Sequence, residues 1–282
     1  MPVSTYGAQR ASLNRSRRLA VFMLLAALVA SLGAMATPRD AHAATMKVVI
    51  VVGPVGSKTA EYRDSARYYA SIARSYGATV IEVYSPNATW TRVRNAAQGA
   101  NLLIYLGHGN GYPSPYGSFQ RYTKDGMGLN ATLNNGNYNT KYWGEYYIDH
   151  DIQMAPNAVV ILNRLCYASG NSEWGWANPT KTTAIQRVDN YGAGFLRAGA
   201  RAVFAEAIYS VAYQIRALFT STRNMNAIFM GSPSASDVRD FYVTSSRTTW
   251  ARAHMDPPQV GKYWRSVIGD LNLTATLWRS GG

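Results

Sequence analysis

The chain lacks several features that define common classes of protein. It has one cysteine among its 282 residues, Cys166, which excludes an intramolecular disulfide and a metal site built from several thiolates. Only 15% of its residues are charged, and its glycines and prolines show no collagen-like period. Its hydrophobic content of 47% is too high for a disordered chain. The composition is therefore that of a globular protein.

Residues 1–43 have the pattern of an export signal. Four arginines between positions 10 and 18 form a basic start, residues 19–36 are almost entirely apolar, and Ala41-His42-Ala43 is an A-x-A cleavage site. The alternative is an uncleaved anchor, because the apolar run approaches the roughly 20 residues that span a bilayer. We expect cleavage, which leaves residues 44–282 as one secreted or extracytoplasmic domain, with the cell surface as a further location.

The rest of the chain has an excess of positive charge. Residues 44–282 carry 23 basic and 14 acidic side chains, a net charge of +9. The basic residues are dispersed and no nucleic-acid-binding motif accompanies them, so we expect no nucleic-acid partner. Dispersed positive charge favours solubility and loose association with an anionic cell wall or membrane surface. A segment of this length is ample for one well-packed core.

Short β-branched runs alternate with helical patterns along these residues. Unbroken apolar runs are typical of strands buried on both faces of a parallel sheet, and they occupy residues 47–52, 102–106, 158–162 and 201–205. Apolar spacing predicts helices over residues 59–76, 183–197 and 211–230, and helical character over 236–252. Terminal strands are predicted over residues 263–268 and 271–277, and a long Gly-, Asn- and Tyr-rich loop over 109–155. The alternation predicts a three-layer α/β domain whose mostly parallel central sheet has helices on both faces.

A histidine and the single cysteine follow two of these strands. His108 stands two residues after the run 102–106, and Cys166 follows the run 158–162. Reactive groups collect where the carboxyl ends of neighbouring parallel strands meet, so both side chains are expected at one sheet edge. An imidazole can accept the proton of a thiol and so activate it as a nucleophile. A lone cysteine is more often a small buried hydrophobic residue, but an unpaired thiol in an exported protein favours a use for it.

The motifs around these two residues resemble those of the caspase-like cysteine peptidases, which include caspases, legumain, clostripain, gingipains, separase and CHAT domains. Residues 101–110 are similar to the family's hydrophobic strand followed by His-Gly, and residues 158–166 to its strand followed by Cys. The spacing of 58 residues fits the family's separation of roughly 50. Residues 191–205 are similar to the helix, Gly-Ala and strand that follow the nucleophile in gingipain-like and CHAT members. Residues 263–270 resemble a late strand ending in Gly-Asp.

The resemblance implies a caspase-like fold and acyl transfer through a thioester. It makes Cys166 the nucleophile and His108 its proton-transferring partner. It also implies that the backbone N–H groups of Gly109 and Cys166 form the oxyanion hole. Members of this family usually work with a dyad, so no carboxylate is needed to orient the histidine, although Asp149 and Asp151 are candidates.

The resemblance also suggests a substrate-binding residue. In legumain-like members an acidic residue just past the fifth strand lines the pocket for the residue before the scissile bond, and Glu206 occupies that place. A carboxylate there would pair with Arg or Lys. The alternative is a strand-end charge that pairs with Arg201 or Arg216. The Gln-Ala-Cys-x-Gly sequence of caspases is absent, which argues against their preference for aspartate.

These observations predict an exported cysteine endopeptidase that acts on protein or peptide substrates, with cleavage after Arg or Lys. The alternatives are a caspase-like binding or scaffold module without catalysis, and a cell-wall amidase or acyltransferase that uses the same dyad. Aromatic residues in the loops suit stacking on sugars or peptides alike: Tyr112, Tyr116, Tyr142, Trp143, Tyr146, Tyr147, Trp174 and Trp176. We expect no cofactor and no transition metal, while calcium bound by the Asn- and Gly-rich loop stays open.

Overall fold

The computed structural model describes residues 45–281, so the predicted export signal over residues 1–43 lies outside the described residues. The strands are β1 (Lys47–Val52), β2 (Thr79–Tyr84), β3 (Leu102–Leu106), β4 (Met127–Asn130), β5 (Thr140–Trp143), β6 (Ala158–Asn163), β7 (Ala200–Glu206), β8 (Phe241–Thr244), β9 (Arg252–Met255) and β10 (Arg265–Gly269). The helices are α1 (Thr59–Ser75), α2 (Trp90–Ala97), α3 (Glu145–Asp151), α4 (Lys181–Arg197), α5 (Ala212–Thr220), α6 (Met225–Met230) and α7 (Ala275–Ser280). Within residues 45–281, no helix combines the length and the apolar character needed to cross a bilayer.

Eight strands form one central sheet in the order β2-β1-β3-β6-β7-β10-β9-β8. The first five strands in this order run parallel to one another. The last three continue the sheet in antiparallel fashion. Strands β4 and β5 pair separately as a small antiparallel ribbon. The prediction of a mostly parallel central sheet is therefore confirmed.

The sheet is covered on both faces, because successive side chains of its inner strands point to opposite sides. Val49, Val51 and Leu103 pack with residues of α2, α3 and α4 in one apolar cluster. Val48, Ile50 and Leu102 pack with residues of α1, α5, α6 and α7 in the other. Strands buried on both faces explain why the sequence shows unbroken β-branched runs here. The structure thus confirms the three-layer α/β architecture.

Several predicted elements need correction. The predicted helix over 211–230 is two helices, and Asn224 caps the second by accepting a hydrogen bond from the Ala227 N–H at 2.8 Å. Residues 236–252 contain the edge strand β8 instead of a helix. Residues 271–277 are a turn leading into α7 instead of a strand, and Thr274 caps that helix. The long loop over 109–155 contains β4, β5 and α3.

Candidate active site

The structure places His108 and Cys166 at the same edge of the sheet. Leu106 at the end of β3 is in register with Asn163 at the end of β6. Asn163 is in turn in register with Glu206 at the end of β7. His108 lies two residues beyond the first of these level strand ends, and Cys166 lies three residues beyond the second.

Cys166 sits in a strained turn. Six non-glycine residues of the described chain have positive φ angles, and four of them are Asn or Asp, which tolerate this conformation. The other two are Arg164 at 61° and Tyr167 at 71°, which flank Cys166 on either side. A left-handed backbone costs roughly 1–3 kcal/mol at such a residue and persists where the surrounding structure enforces it. The surrounding structure therefore holds this turn at the expense of stability.

The loop that carries His108 packs directly on this turn. A Cβ atom added to Gly109 would overlap the carbonyl oxygen of Cys166, so only glycine permits this approach. The Tyr105 hydroxyl lies 3.0 Å from the carbonyl oxygen of His108 and 2.9 Å from that of Gly128, and it accepts the Gly128 N–H at 2.8 Å. These contacts hold the histidine loop between the cysteine turn and strand β4.

The environment keeps both reactive groups neutral near pH 7. Burial raises the pKa of Cys166 to about 12; the negative charge of Glu173 adds to this shift, and Arg187 opposes it. His108 is exposed, yet nearby atoms still desolvate its ring and lower its pKa, with Glu173 opposing the shift. The stable resting pair is therefore a thiol and a neutral imidazole. Activation of the thiol by this imidazole stays a prediction.

The predicted oxyanion hole consists of two backbone N–H groups. Within residues 45–281, the N–H groups of Gly109 and Cys166 have no hydrogen-bond acceptor. The Cys166 carbonyl, by contrast, accepts the Ala168 N–H at 2.9 Å. Unpaired N–H groups beside a nucleophile can stabilise a developing oxyanion, and the assignment of these two donors to that role stays a prediction.

Cys166 opens onto a cavity of about 720 Å³. The loop 171–178 covers one side of this cavity, and residues 207–208 and 261–264 form another. Its walls include the aromatic rings of Tyr62, Trp174, Trp176 and Trp264. A cavity of this size holds a drug-sized ligand or more than one amino-acid side chain.

Glu173 is the acidic side chain that the structure brings to this cavity. Its Oε1 accepts a hydrogen bond from the Tyr167 hydroxyl at 2.7 Å, and its Oε2 accepts one from the Tyr116 hydroxyl at 2.9 Å. Two phenols from different loops therefore fix the carboxylate beside the nucleophile turn. The sequence analysis missed this residue, although an acidic residue between Ser172 and Trp174, seven positions after the cysteine, was the available signal.

Glu206 does not lie in the cavity, and its predicted role in substrate binding is corrected by its burial. Only 1% of the residue is exposed, and its Oε1 accepts hydrogen bonds from Gln214 at 2.8 Å and from Arg265 at 3.3 Å. Arg265 also pairs with the buried Asp256. The alternative pairing with Arg201 or Arg216 is wrong, since Glu206 pairs with Arg265.

Burial leaves Glu206 short of hydrogen-bond donors. Its Oε2 and the Gln214 Oε1 are both buried without a partner among the described residues. Desolvation raises the pKa of Glu206 to about 7, against the opposing effect of Arg265. A proton on the carboxyl supplies a donor that the buried pair otherwise lacks.

We predict that Glu206→Gln removes a pH dependence of stability. The folded protein holds a proton on Glu206 up to about pH 7, whereas the unfolded chain releases it near pH 4.5. The free energy of unfolding should therefore fall by about 3 kcal/mol between pH 4.5 and pH 7, and it should stay level above pH 7. The amide of the variant mimics the protonated acid but does not titrate. The free energy of unfolding of wild type minus that of Glu206→Gln, measured by urea unfolding at each pH, should therefore show this fall. Asp64→Asn, on an exposed position of α1, serves as control, and a difference that does not vary with pH would contradict the assignment.

The other candidate carboxylates lie elsewhere. Asp149 pairs with Arg197 at 2.9 Å and with His150, and Asp151 accepts a hydrogen bond from the Trp90 indole at 3.1 Å. Asp149 lines a second cavity of about 520 Å³ with residues 152–156 and 197–199, which precede β6 and β7. This cavity is therefore at the sheet edge opposite Cys166. Neither aspartate is placed to orient His108.

No group of three or more His, Cys, Asp or Glu side chains within residues 45–281 is arranged to hold a metal ion. The expectations of no cofactor and of calcium as an open alternative stay predictions.

Comparisons with known proteins find similarity at a distance. No model of a protein family matches the chain, and no curated protein matches it. Among solved structures, it is similar to the Arg-specific cysteine proteinase gingipain R, with 14% identity over 81% of this chain and a TM-score of 0.34. It is also similar to iotapain, a secreted cysteine protease from Bacteroides thetaiotaomicron, with 10% identity over 75% of this chain and a TM-score of 0.37. The similarity spans 61% and 66% of those two chains.

Proposed function

We propose that the protein is a cysteine endopeptidase of the caspase-like type, with Cys166 as nucleophile and His108 as proton-transferring base. One observation carries this proposal: the single cysteine lies in a strained turn that opens onto a large cavity, and the histidine loop packs against the same turn. Backbone strain and convergent reactive groups at a strand edge are typical of catalytic sites.

The first half of the reaction forms a thioester. The His108 imidazole removes the proton of the Cys166 thiol as the sulfur attacks the carbonyl carbon of the peptide bond. The carbonyl oxygen becomes negative and is stabilised by the N–H groups of Gly109 and Cys166. His108 then gives its proton to the nitrogen of the leaving amine, and the carbon–nitrogen bond breaks.

The second half hydrolyses the thioester. His108, again neutral, takes a proton from a water molecule as the water oxygen attacks the thioester carbon. The carbon–sulfur bond breaks, the peptide leaves with a new carboxyl group, and the proton returns to Cys166. The neutral resting pair suits this cycle because each of the two nucleophilic attacks begins with an unprotonated imidazole.

Glu173 replaces Glu206 as the residue that gives a preference for Arg or Lys before the scissile bond. It lines the cavity that Cys166 opens onto, and two phenols hold its carboxylate in place. A cationic side chain that entered this cavity would gain a charge-assisted hydrogen bond to that carboxylate. Arg164 does not compete strongly for it, because Arg164 pairs with Glu61 at the rim.

Glu173→Gln is expected to lower the preference for Arg over norleucine before the scissile bond by roughly tenfold to a hundredfold, since a hydrogen bond to a charged group contributes about 1.5–3 kcal/mol. The measurement is kcat/KM on fluorogenic peptides that differ only at that residue. Glu206→Gln is the matched control and should keep the preference. An equal loss on both peptides would instead mean that Glu173 only holds the loops together through Tyr116 and Tyr167.

The proposal also includes export of the protein from the cytoplasm. The basic and apolar pattern of residues 1–43 and its A-x-A site support removal of that segment, and the dispersed positive charge of residues 44–282 supports loose association with an anionic cell surface. The test of the reaction is release of a new carboxyl terminus from a peptide, followed by mass spectrometry. Folded protein that binds the peptide and leaves it intact would favour the binding module.

A further inference from the structure

Two tryptophans stand exposed over the cavity. The side chain of Trp174 is 100% exposed and that of Trp176 is 53% exposed. Gly175 separates them with a φ of 87°, a left-handed conformation that turns the chain sharply between the two rings. Large exposed apolar side chains of this kind mark interaction sites, and these two line the cavity onto which Cys166 opens.

The position of the Trp176 ring is fixed relative to Glu173. Trp176 packs edge-on against Tyr116 at 6.2 Å between ring centroids, and the Tyr116 hydroxyl bonds to Glu173. The opposite wall adds Ile208, which is 49% exposed, and Trp264. The cavity volume of about 720 Å³ exceeds the space that one cationic side chain fills. Room is left for a second group beside it.

The polar groups of the same loop are mostly engaged in holding it in place. Asn171 accepts a hydrogen bond from Ser169 at 3.2 Å and donates one to the Ser172 carbonyl at 3.2 Å. The buried Arg187 donates to the carbonyls of Pro113 at 2.7 Å and Asn171 at 2.8 Å, and to the Ser172 hydroxyl at 3.1 Å. The surface that remains is mostly aromatic and aliphatic, with Asn178 and Lys262 among its other polar side chains. The apolar part favours an apolar side chain over a sugar, whose hydroxyl groups need polar partners.

We propose that Trp174 and Trp176 form a second subsite that binds an aromatic or large aliphatic side chain of the substrate, next to the residue held by Glu173. This inference rests on the proposed function, which makes the substrate a peptide. Contact with such a side chain would bury the two indoles and so stabilise the bound peptide, whereas a small residue at the same position would leave the indoles in water.

The test separates binding from catalysis by using the Cys166→Ala protein. Each fluorescently labelled peptide contains the same Arg, and the residues before and after this Arg are either Phe or Gly. The affinity of each peptide for the protein is measured by fluorescence anisotropy. At one of the two positions beside the Arg, we expect the peptide with Phe to bind roughly tenfold more tightly than the peptide with Gly. Adding Trp174→Ala or Trp176→Ala should bring this ratio close to one. Trp250→Ala is the matched control, because Trp250 is 44% exposed, stacks on Arg201 and does not line the cavity.

A Phe-to-Gly ratio that is the same with and without the two tryptophans would overturn the subsite. A chitin oligosaccharide that displaces the Phe peptide from the Cys166→Ala protein, and loses this ability in Trp174→Ala, would also overturn it in favour of a sugar site. Failure of the proposed function is distinguishable: wild-type protein would then leave all peptides intact, while the tryptophan-dependent Phe preference in binding would persist.

Discussion

Cys166→Ala is expected to reduce peptide hydrolysis at least about a thousandfold, to the level of the assay background. The thiol is the atom that forms the thioester, and no other residue can replace it because the chain has no second cysteine. The assay is kcat/KM on the best peptide of the panel, with wild-type and variant protein from the same preparation.

The control for this variant is a measurement of its thermal stability, which shows whether it still folds. Cys166 is half-buried and its side chain donates no hydrogen bond within the described residues, so its loss removes one sulfur atom and little packing. Thermal unfolding of the variant should remain within a few degrees of wild type. Residual hydrolysis above a tenth of the wild-type rate, in protein shown to lack contaminating peptidase, would rule out Cys166 as nucleophile.

His108→Gln is expected to lower kcat/KM by roughly a hundredfold to ten-thousandfold, the range that general base catalysis contributes. Glutamine retains a polar side chain of similar size but cannot take the proton. The thiol of the variant would ionise only near its own pKa of about 12, so little thiolate forms at pH 7.

The pH profile distinguishes this role from a structural one. Desolvation holds the pKa of His108 below its usual 6.5, so its neutral base form persists to lower pH. Wild-type kcat/KM should therefore rise through a single limb whose midpoint is below pH 6.5 and stay level to about pH 9. His108→Gln should lack this limb and gain activity steadily with rising pH. A wild-type profile that instead rises through pH 8–9 would contradict the neutral resting pair.

The elements that carry the site were predictable because their patterns are local. The apolar runs 47–52, 102–106 and 158–162 match strands β1, β3 and β6 within one residue, since strands buried on both faces contain few polar residues. The placement of His108 and Cys166 at one sheet edge followed from that parallel arrangement. Nothing local, however, indicated the left-handed conformation of the residues that flank the cysteine, which the enclosing loops impose.

The residues that the sequence analysis misplaced or missed depend on distant partners. Glu206 is withdrawn from the cavity by Arg265, 59 residues later, and by Gln214 on a helix that packs below the sheet edge. Glu173 reaches its position through Tyr116, 57 residues earlier. Strand β8 forms because β9 pairs with it, although its own segment has helical periodicity. Such pairings are tertiary, so the periodicity of one segment does not reveal them.

The measurement that tests the central claim most directly is the alkylation rate of Cys166 by iodoacetamide as a function of pH, followed by intact mass. The single cysteine makes the added mass unambiguous. We expect the wild-type rate to rise with a midpoint below pH 6.5 to a plateau, and His108→Gln to react at least about tenfold more slowly at pH 7, with a rate that climbs towards the ionisation of an isolated buried thiol. Equal rates in the two proteins across this range would show that His108 does not activate Cys166, and the account of a cysteine–histidine dyad would fail.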